Sequence, residues 1–216
     1  MSESRLIVYG AGGHGKVVAE AAELAGWKRV VFVDDRWPDI SAVGPWPVIG
    51  KGDSIGDGLG SDDSVVVAIG DNRLRLGLVR RLLAEGTNVA TVVHPNAVVS
   101  RYASVGAGSV IFAGAVINVG SRIGLACIVN TGASIDHDCR IADGVHISPG
   151  VNLAGGVTIG RKSWVGIGAS VRELVTIGDD VTVGAGSVVL KAVADGSIVA
   201  GVPAKAIKQA VGTPQC

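Results

Sequence analysis

The sequence predicts a chain in two parts, a small Rossmann-like α/β domain followed by an all-β parallel β-helix, and three observations carry that expectation. Every sixth residue from Val93 to Val189 is aliphatic, seventeen positions in a row without insertion or slip. Gly accounts for 33 of the 216 residues, whereas aromatic residues make up only 4%. Ahead of residue 93 the repeat is absent, and a Gly-rich loop follows a short apolar run instead.

A period of six fits neither a 3.6-residue helix nor the alternation of a hairpin series. It fits a β-helix built of hexads, each giving one short strand and one corner. The fifth place of each hexad is small or β-branched, as at Ala103, Ser109, Ala115, Cys127 and Val145. First and fifth residues therefore fill a narrow interior that large rings would not enter, which explains the scarcity of aromatic residues. Three hexads make a coil of about 18 residues, stacked ~4.8 Å above the coil below, so the repeat supplies about five to six coils. The expected divisions are 1–92 for the α/β domain, 93–194 for the β-helix and 195–216 for a closing segment and tail.

In the first division, RLIVY at 5–9 reads as a buried strand, and GAGGHGKVVAEAAELAG follows it. Gly10, Gly12 and Gly15 satisfy G-x-G-x-x-G, a helix is expected near 15–25, and the strand VVFVDD at 30–35 ends in Asp34 and Asp35. Strands at 64–69 and 88–93 and a helix near 73–85 complete the unit, which is half of a full dinucleotide fold. Glycine-freed N–H groups at a helix N-terminus bind phosphate whoever owns it, so a nucleotide-diphosphate sugar suits this loop as well as NAD. Lys16 reads equally as a surface lysine or a phosphate contact, and His94, before Pro95, as structural.

Composition narrows the function classes. Lys+Arg and Asp+Glu both number 19, so neither nucleic acid nor a membrane is expected as a partner. No apolar run approaches the roughly 18–20 residues of a membrane span. The opening MSESRLIVYG lacks a basic n-region followed by an apolar h-region, so no signal peptide is expected. Three cysteines suit a reducing compartment, and a cytoplasmic location follows as the expectation. Cys127 and Cys139 fall on interior fifth places, Cys216 falls in a loose tail, and no metal site is expected.

One stretch breaks the small-residue texture of the repeat: SIDHDCRIADGVH at 134–146. With Ile135 and Cys139 at first and fifth places, Asp136, His137 and Asp138 all point outward, and His146 takes an outward sixth place. A solvated polar corner is one reading. The other is catalytic, because a carboxylate beside an imidazole fixes its tautomer and stabilises its protonated form. Either Asp136 or Asp138 can supply that carboxylate.

The stretch SIDHDCRIADGVHISPGVNLAGGVTIG resembles the active-site region of the nucleotide-sugar N-acetyltransferases that build bacillosamine, perosamine and related amino sugars, within the sialic-acid O-acetyltransferase group. AGVPAKAIK at 200–208 looks like the segment that closes the last coil against coenzyme A in that family, and GAGGHGKVV and VAIGDNRLR look like its N-terminal domain. The resemblance implies a left-handed β-helix, a homotrimer and acetyl-CoA as co-substrate. It implies His137 as general base, Asp138 as its support and His146 beside the coenzyme, with Asn130 near the acceptor sugar. Gly13, His14, Asp34, Asp35 and Asn72 become acceptor-binding candidates.

The expected reaction is transfer of an acetyl group to the 4-amino group of a UDP-, GDP- or dTDP-linked 4-amino-4,6-dideoxy sugar. A groove passing His146, Gly155, Gly168 and Gly186 toward Lys205 would hold the coenzyme, with an oxyanion donor at Gly155–Gly156. A sugar O-acetyltransferase and a non-catalytic trimer binding a nucleotide sugar or a dinucleotide are the rival readings.

Overall fold

The computed structural model describes residues 5–55 and 63–208; Cys216 lies outside the described residues. Arg5–Tyr9 runs between Arg29–Val33 and Ser64–Val67 in a three-stranded parallel sheet. These strands are near-continuous aliphatic runs because the sheet is covered on both sides. Helix α1 (Gly13–Leu24) follows the first of them and α2 (Asn72–Ala84) the third. The start of α2 is set by Asp71, whose carboxylate accepts the Leu74 N–H at 2.8 Å.

The expected strand at 88–93 does not join this sheet as a whole. Val89 makes a single bridge to Val65, while Val92–Val93 pairs with Val110–Ile111 as the first rung of the solenoid. The reason is in the repeat: Val92 holds an outward sixth place, and its side chain is buried against the α1 layer.

From Val92 onward the chain is a parallel β-solenoid of two-residue strands on three faces. The first face runs from Val98–Val99 to Val188–Val189, and the second from Ser104–Val105 to Thr176–Ile177. The third runs from Val92–Val93 to Thr182–Val183, continues in Ile198–Ala200 and is closed by antiparallel Lys205–Lys208. Register follows the coil length, as in Ile117↔Ile135, Ile123↔Ile141 and Val129↔Ile147. First and fifth residues form one continuous core that includes Cys127 and Cys139. Burial pushes the Cys127 thiol up to about 12, so it behaves as a small apolar residue. Serines at fifth places carry hydrogen bonding through the corners: Ser121 Oγ donates to Asp136 O at 2.6 Å and accepts the Cys139 N–H at 3.0 Å.

The α/β domain sits on the third face. Outward residues Val92, Val110 and Ile128 share a core with Val18 and Ala22 of α1 and with Phe112. On the α2 side the joint is polar and centres on Arg75, only 1% exposed. Its Nε donates to Ala126 O at 2.8 Å, Nη1 to Ile69 O and Gly70 O, and Nη2 to Gly144 O and Asn72 Oδ1. All five guanidinium N–H groups are thereby used, which is the condition for burying them. Asn72 extends the joint one coil further, donating to Lys162 O at 2.9 Å and Ser163 O at 3.3 Å. Burial lowers Arg75 to about 10, which leaves it charged at neutral pH. No helix among the described residues is long and apolar enough to cross a membrane.

Candidate functional site

His137 stands at the corner between the first and second faces, flanked by Ser134–Ile135 and Arg140–Ile141. Its Nδ1 lies 2.9 Å from Asp138 Oδ2. Asp136 plays a different part, accepting the His137 backbone N–H at 2.8 Å and the Asn118 amide at 3.0 Å. The geometry thus separates the two carboxylates: Asp138 touches the ring and Asp136 shapes the turn. Asp138 adopts φ 58, a left-handed conformation that the same corner gives to glycine at Gly120 and Gly156. A carboxylate tolerates this region better than most side chains. Here it places the group against the imidazole.

Two glycines make room for the pair. A Cβ on Gly155 would come within 2.5 Å of His137 Nε2, and one on Gly120 within 2.3 Å of Asp138 Oδ1. With Nδ1 turned to Asp138, the basic Nε2 lies over Gly155. The Gly156 N–H is already donated to His137 O at 2.9 Å, so of the expected Gly155–Gly156 pair only the Gly155 N–H is unengaged among the described residues. The Asp138 hydrogen bond and the nearby Asp136 charge raise the His137 pKa from its ordinary value.

His146 occupies an outward place, as the repeat predicts, but its surroundings differ from that expectation. It lies on the third face, where the α/β domain covers it. Its ring stacks on Trp164 at 5.7 Å and 5° between planes, and its Nε2 lies 3.3 Å from Asn130 Nδ2. Burial, with the Arg75 charge second, lowers it to about 3. Asn130 therefore faces His146. A cavity of about 400 Å³ opens beside this pair, lined by Gly70, Asp71, Asn72, Lys162, Trp164 and Thr182 among others.

The Gly-rich loop divides by role. Gly10 has φ 111, and a Cβ on Gly15 would meet Gly10 O at 2.1 Å, so both are needed for the strand–helix turn to close. Gly12 and Gly13 face open space, where a ligand can approach the backbone. His14 packs edge-on against Phe112 at 5.6 Å, and burial lowers it to about 4. Its Nε2 is buried with no hydrogen-bond partner among the described residues. Asp34 accepts the Ala11 N–H at 2.7 Å and is gripped by Arg36, whose hydrogen bond is the main cause of its pKa of about 2. Asp35 lies within reach of the Tyr9 hydroxyl and the Gly52 N–H. Both carboxylates thus have partners inside the domain, and Asn72 spends its amide on the Arg75 joint. Arg36 beside the loop and Arg75 beneath it are the residues the sequence reading missed.

The expected coenzyme line does not fall on one corner of a single copy. Gly168 and Gly186 stack one coil apart on the corner between the third and first faces, with open space above both. Gly155 lies on the His137 corner, across the first face from them. Residues thirteen apart in an 18-residue coil cannot share a corner, so a single copy does not align all three. Lys205 belongs to the closing strand, beside a cavity of about 650 Å³ lined also by Leu190, Lys191, Val199 and Pro203. No group of three or more potential metal ligands exists among the described residues.

Both parts of the chain are similar to known proteins. Residues 5–82 match the PglD N-terminal domain, and residues 156–191 match the bacterial transferase hexapeptide (six repeats). The acetyltransferase domain of PglB from Neisseria gonorrhoeae FA1090 is 43% identical with a TM-score of 0.91, over 94% of this chain and 99% of that one. That domain is also known in complex with acetyl coenzyme A. PerB from Caulobacter crescentus, in complex with CoA and GDP-perosamine, is 41% identical with a TM-score of 0.87, over 94% of this chain and 97% of that one. A curated relative, UDP-N-acetylbacillosamine N-acetyltransferase of Bacillus subtilis (strain 168), is 38% identical over 109 residues, 49% of this chain. The match spans 50% of that relative's length. On the likeness to the PglB domain over nearly its whole length, this chain belongs to the PglD-like family of hexapeptide-repeat sugar-nucleotide acetyltransferases.

Proposed function

We propose that this chain transfers the acetyl group of acetyl-CoA to the 4-amino group of a nucleotide-linked 4-amino-4,6-dideoxy sugar. The observation that carries the proposal is the His137 corner, where Nδ1 is held by Asp138 and Nε2 lies over Gly155. In this reading His137 Nε2 takes a proton from the amine as its nitrogen bonds to the thioester carbonyl carbon. The carbonyl oxygen gains charge and is met by the Gly155 N–H. The C–S bond then breaks, and the proton on His137 passes to the departing thiolate. Amide and free thiol are the products, with no covalent acyl-enzyme. Binding both reactants together supplies much of the acceleration.

The acceptor is assigned to the α/β domain. Gly13 and its neighbours approach the diphosphate, His14 stands in the same loop with its ring packed against Phe112, and Asp34 and Asp35 lie at the nucleoside end. Asn72 and Asn130 border the sugar side. The coenzyme is assigned to His146, Gly155, Gly168, Gly186 and Lys205. In one copy, however, the His137 corner lies opposite the third face that bears the α/β domain. A second copy brings the two together, and the homotrimer of the family reading does so three times. Along the His137 edge, Tyr102, Val119 and Leu174 are 72%, 51% and 78% exposed, an apolar strip that a neighbour would cover. The cytoplasm, where acetyl-CoA is available, is the proposed location.

Free-thiol release from acetyl-CoA, with UDP-, GDP- and dTDP-linked 4-amino sugars as acceptors, tests the function. Rapid release with one nucleotide class supports it. No acceptor-dependent release from folded protein overturns it.

A further inference from the structure

The tautomer of His146 can be read from its neighbours. Thr131 N–H donates to Asn130 Oδ1 at 2.9 Å, and this fixes the amide's orientation, since the reverse would set the NH₂ group against that donor. The other end, Nδ2, therefore faces His146 Nε2 at 3.3 Å and must be the donor. Nε2 is then an acceptor and carries no proton. A neutral imidazole has only one, so it sits on Nδ1.

The ring is neutral at physiological pH, because burial holds its pKa at about 3. Its plane is fixed as well. Trp164 stacks parallel to it, and the indole N–H is tethered to Ser148 Oγ at 2.6 Å. His146 Nδ1–H has no hydrogen-bond partner among the described residues, and the ring lines the cavity between α2 and the third face.

We infer that Asn130 is a positioning residue whose amide holds His146 as the Nδ1–H tautomer and so presents an uncharged donor to a carbonyl or hydroxyl oxygen bound in this cavity. Which ligand carries that oxygen rests on the acetyl-transfer reading; the tautomer does not. The carboxamide is the critical chemistry. A carboxylate in its place would accept from Nε2, draw the proton there and favour the imidazolium.

Histidine ¹⁵N spectra test this on the intact protein, with the His146 signals identified by a His146→Gln variant among the chain's four histidines. The wild type is expected to show a protonated Nδ1 and an unprotonated Nε2, unchanged between about pH 5 and 8. Asn130→Asp is expected to move the proton to Nε2 or to protonate the ring, with acetyl transfer falling on the order of 10²-fold. Asn130→Ala, which removes the donor without adding a charge, is expected to give a mixture of tautomers. A wild-type ring protonated at Nε2, or variants with the wild-type nitrogen pattern, overturns the inference. Failure of every sugar nucleotide as acceptor would defeat the proposed function and leave the nitrogen assignment standing.

Discussion

His137 and His146 lie nine residues apart in one solenoid, both point outward, and their surroundings push them in opposite directions. His137 stands on an open corner, where Asp138 and Asp136 raise its pKa and favour the imidazolium. His146 lies under the α/β domain, where burial lowers it to about 3. The repeat dictates the direction of each side chain, but what packs on that face decides its chemistry. One histidine suits proton transfer. The other suits a fixed, neutral hydrogen bond.

The contrast depends on the domain joint, so removing the joint should weaken it most. Arg75→Met leaves the buried carbonyls of Ala126 and Gly144 without their donor and is expected to cost about 3 kcal/mol, read by thermal or denaturant unfolding. The pKa of His146 should rise with it, as the third face becomes wetter. The converse change acts at the open corner alone. In Gly155→Ala the new Cβ displaces the His137 ring, and turnover is expected to fall on the order of 10²-fold with unfolding little changed.

Acid should also separate the two histidines. His14 and His146 are half-buried and neutral, with pKa values of about 4 and about 3, so the unfolded chain binds protons that the folded chain refuses. Stability should therefore be full above about pH 6.5 and decline below it, by on the order of 2 kcal/mol for each at pH 5. Denaturant midpoints across that range measure it. The pairing of His137 has the opposite sign: it helps below the ordinary imidazole value and is lost as pH rises through the elevated one. The smallest effect is Asp138→Asn, which removes the main cause of that elevation. The acid limb of the rate profile is expected to move to lower pH, with turnover reduced about tenfold.

How far the sequence foretold these features depends on chain distance. The interior was legible because every hexad repeats the same instruction, and Ile135, Cys139 and Ile141 could be placed without knowing any other coil. The helix expected near 73–85 appears as Asn72–Ala84, and the contact that sets its start, Asp71 to the Leu74 N–H, spans only three residues. The strand at 88–93 was misread because Val92 belongs by register to the solenoid. The environment of His146 could not be read locally. It is imposed by residues far back in the chain, with Arg75 reaching Gly144 across 69 positions. One signal was present: Arg75 falls on the buried stripe of α2 with Val79 and Leu82, an odd place for an unpaired charge. Gly120 carried no local mark, since its purpose is to leave space for an aspartate one coil away.

The most direct measurement is acceptor-dependent thiol release from acetyl-CoA by the wild type and by His137→Ala, with kcat and KM determined separately. The proposed mechanism predicts kcat lower by about 10³-fold in the variant, with the KM for acetyl-CoA nearly unchanged, because the imidazole is needed for the proton and not for the coenzyme. A His137→Ala enzyme that turns over at close to the wild-type rate would contradict the base assignment and the reading of the corner built on it.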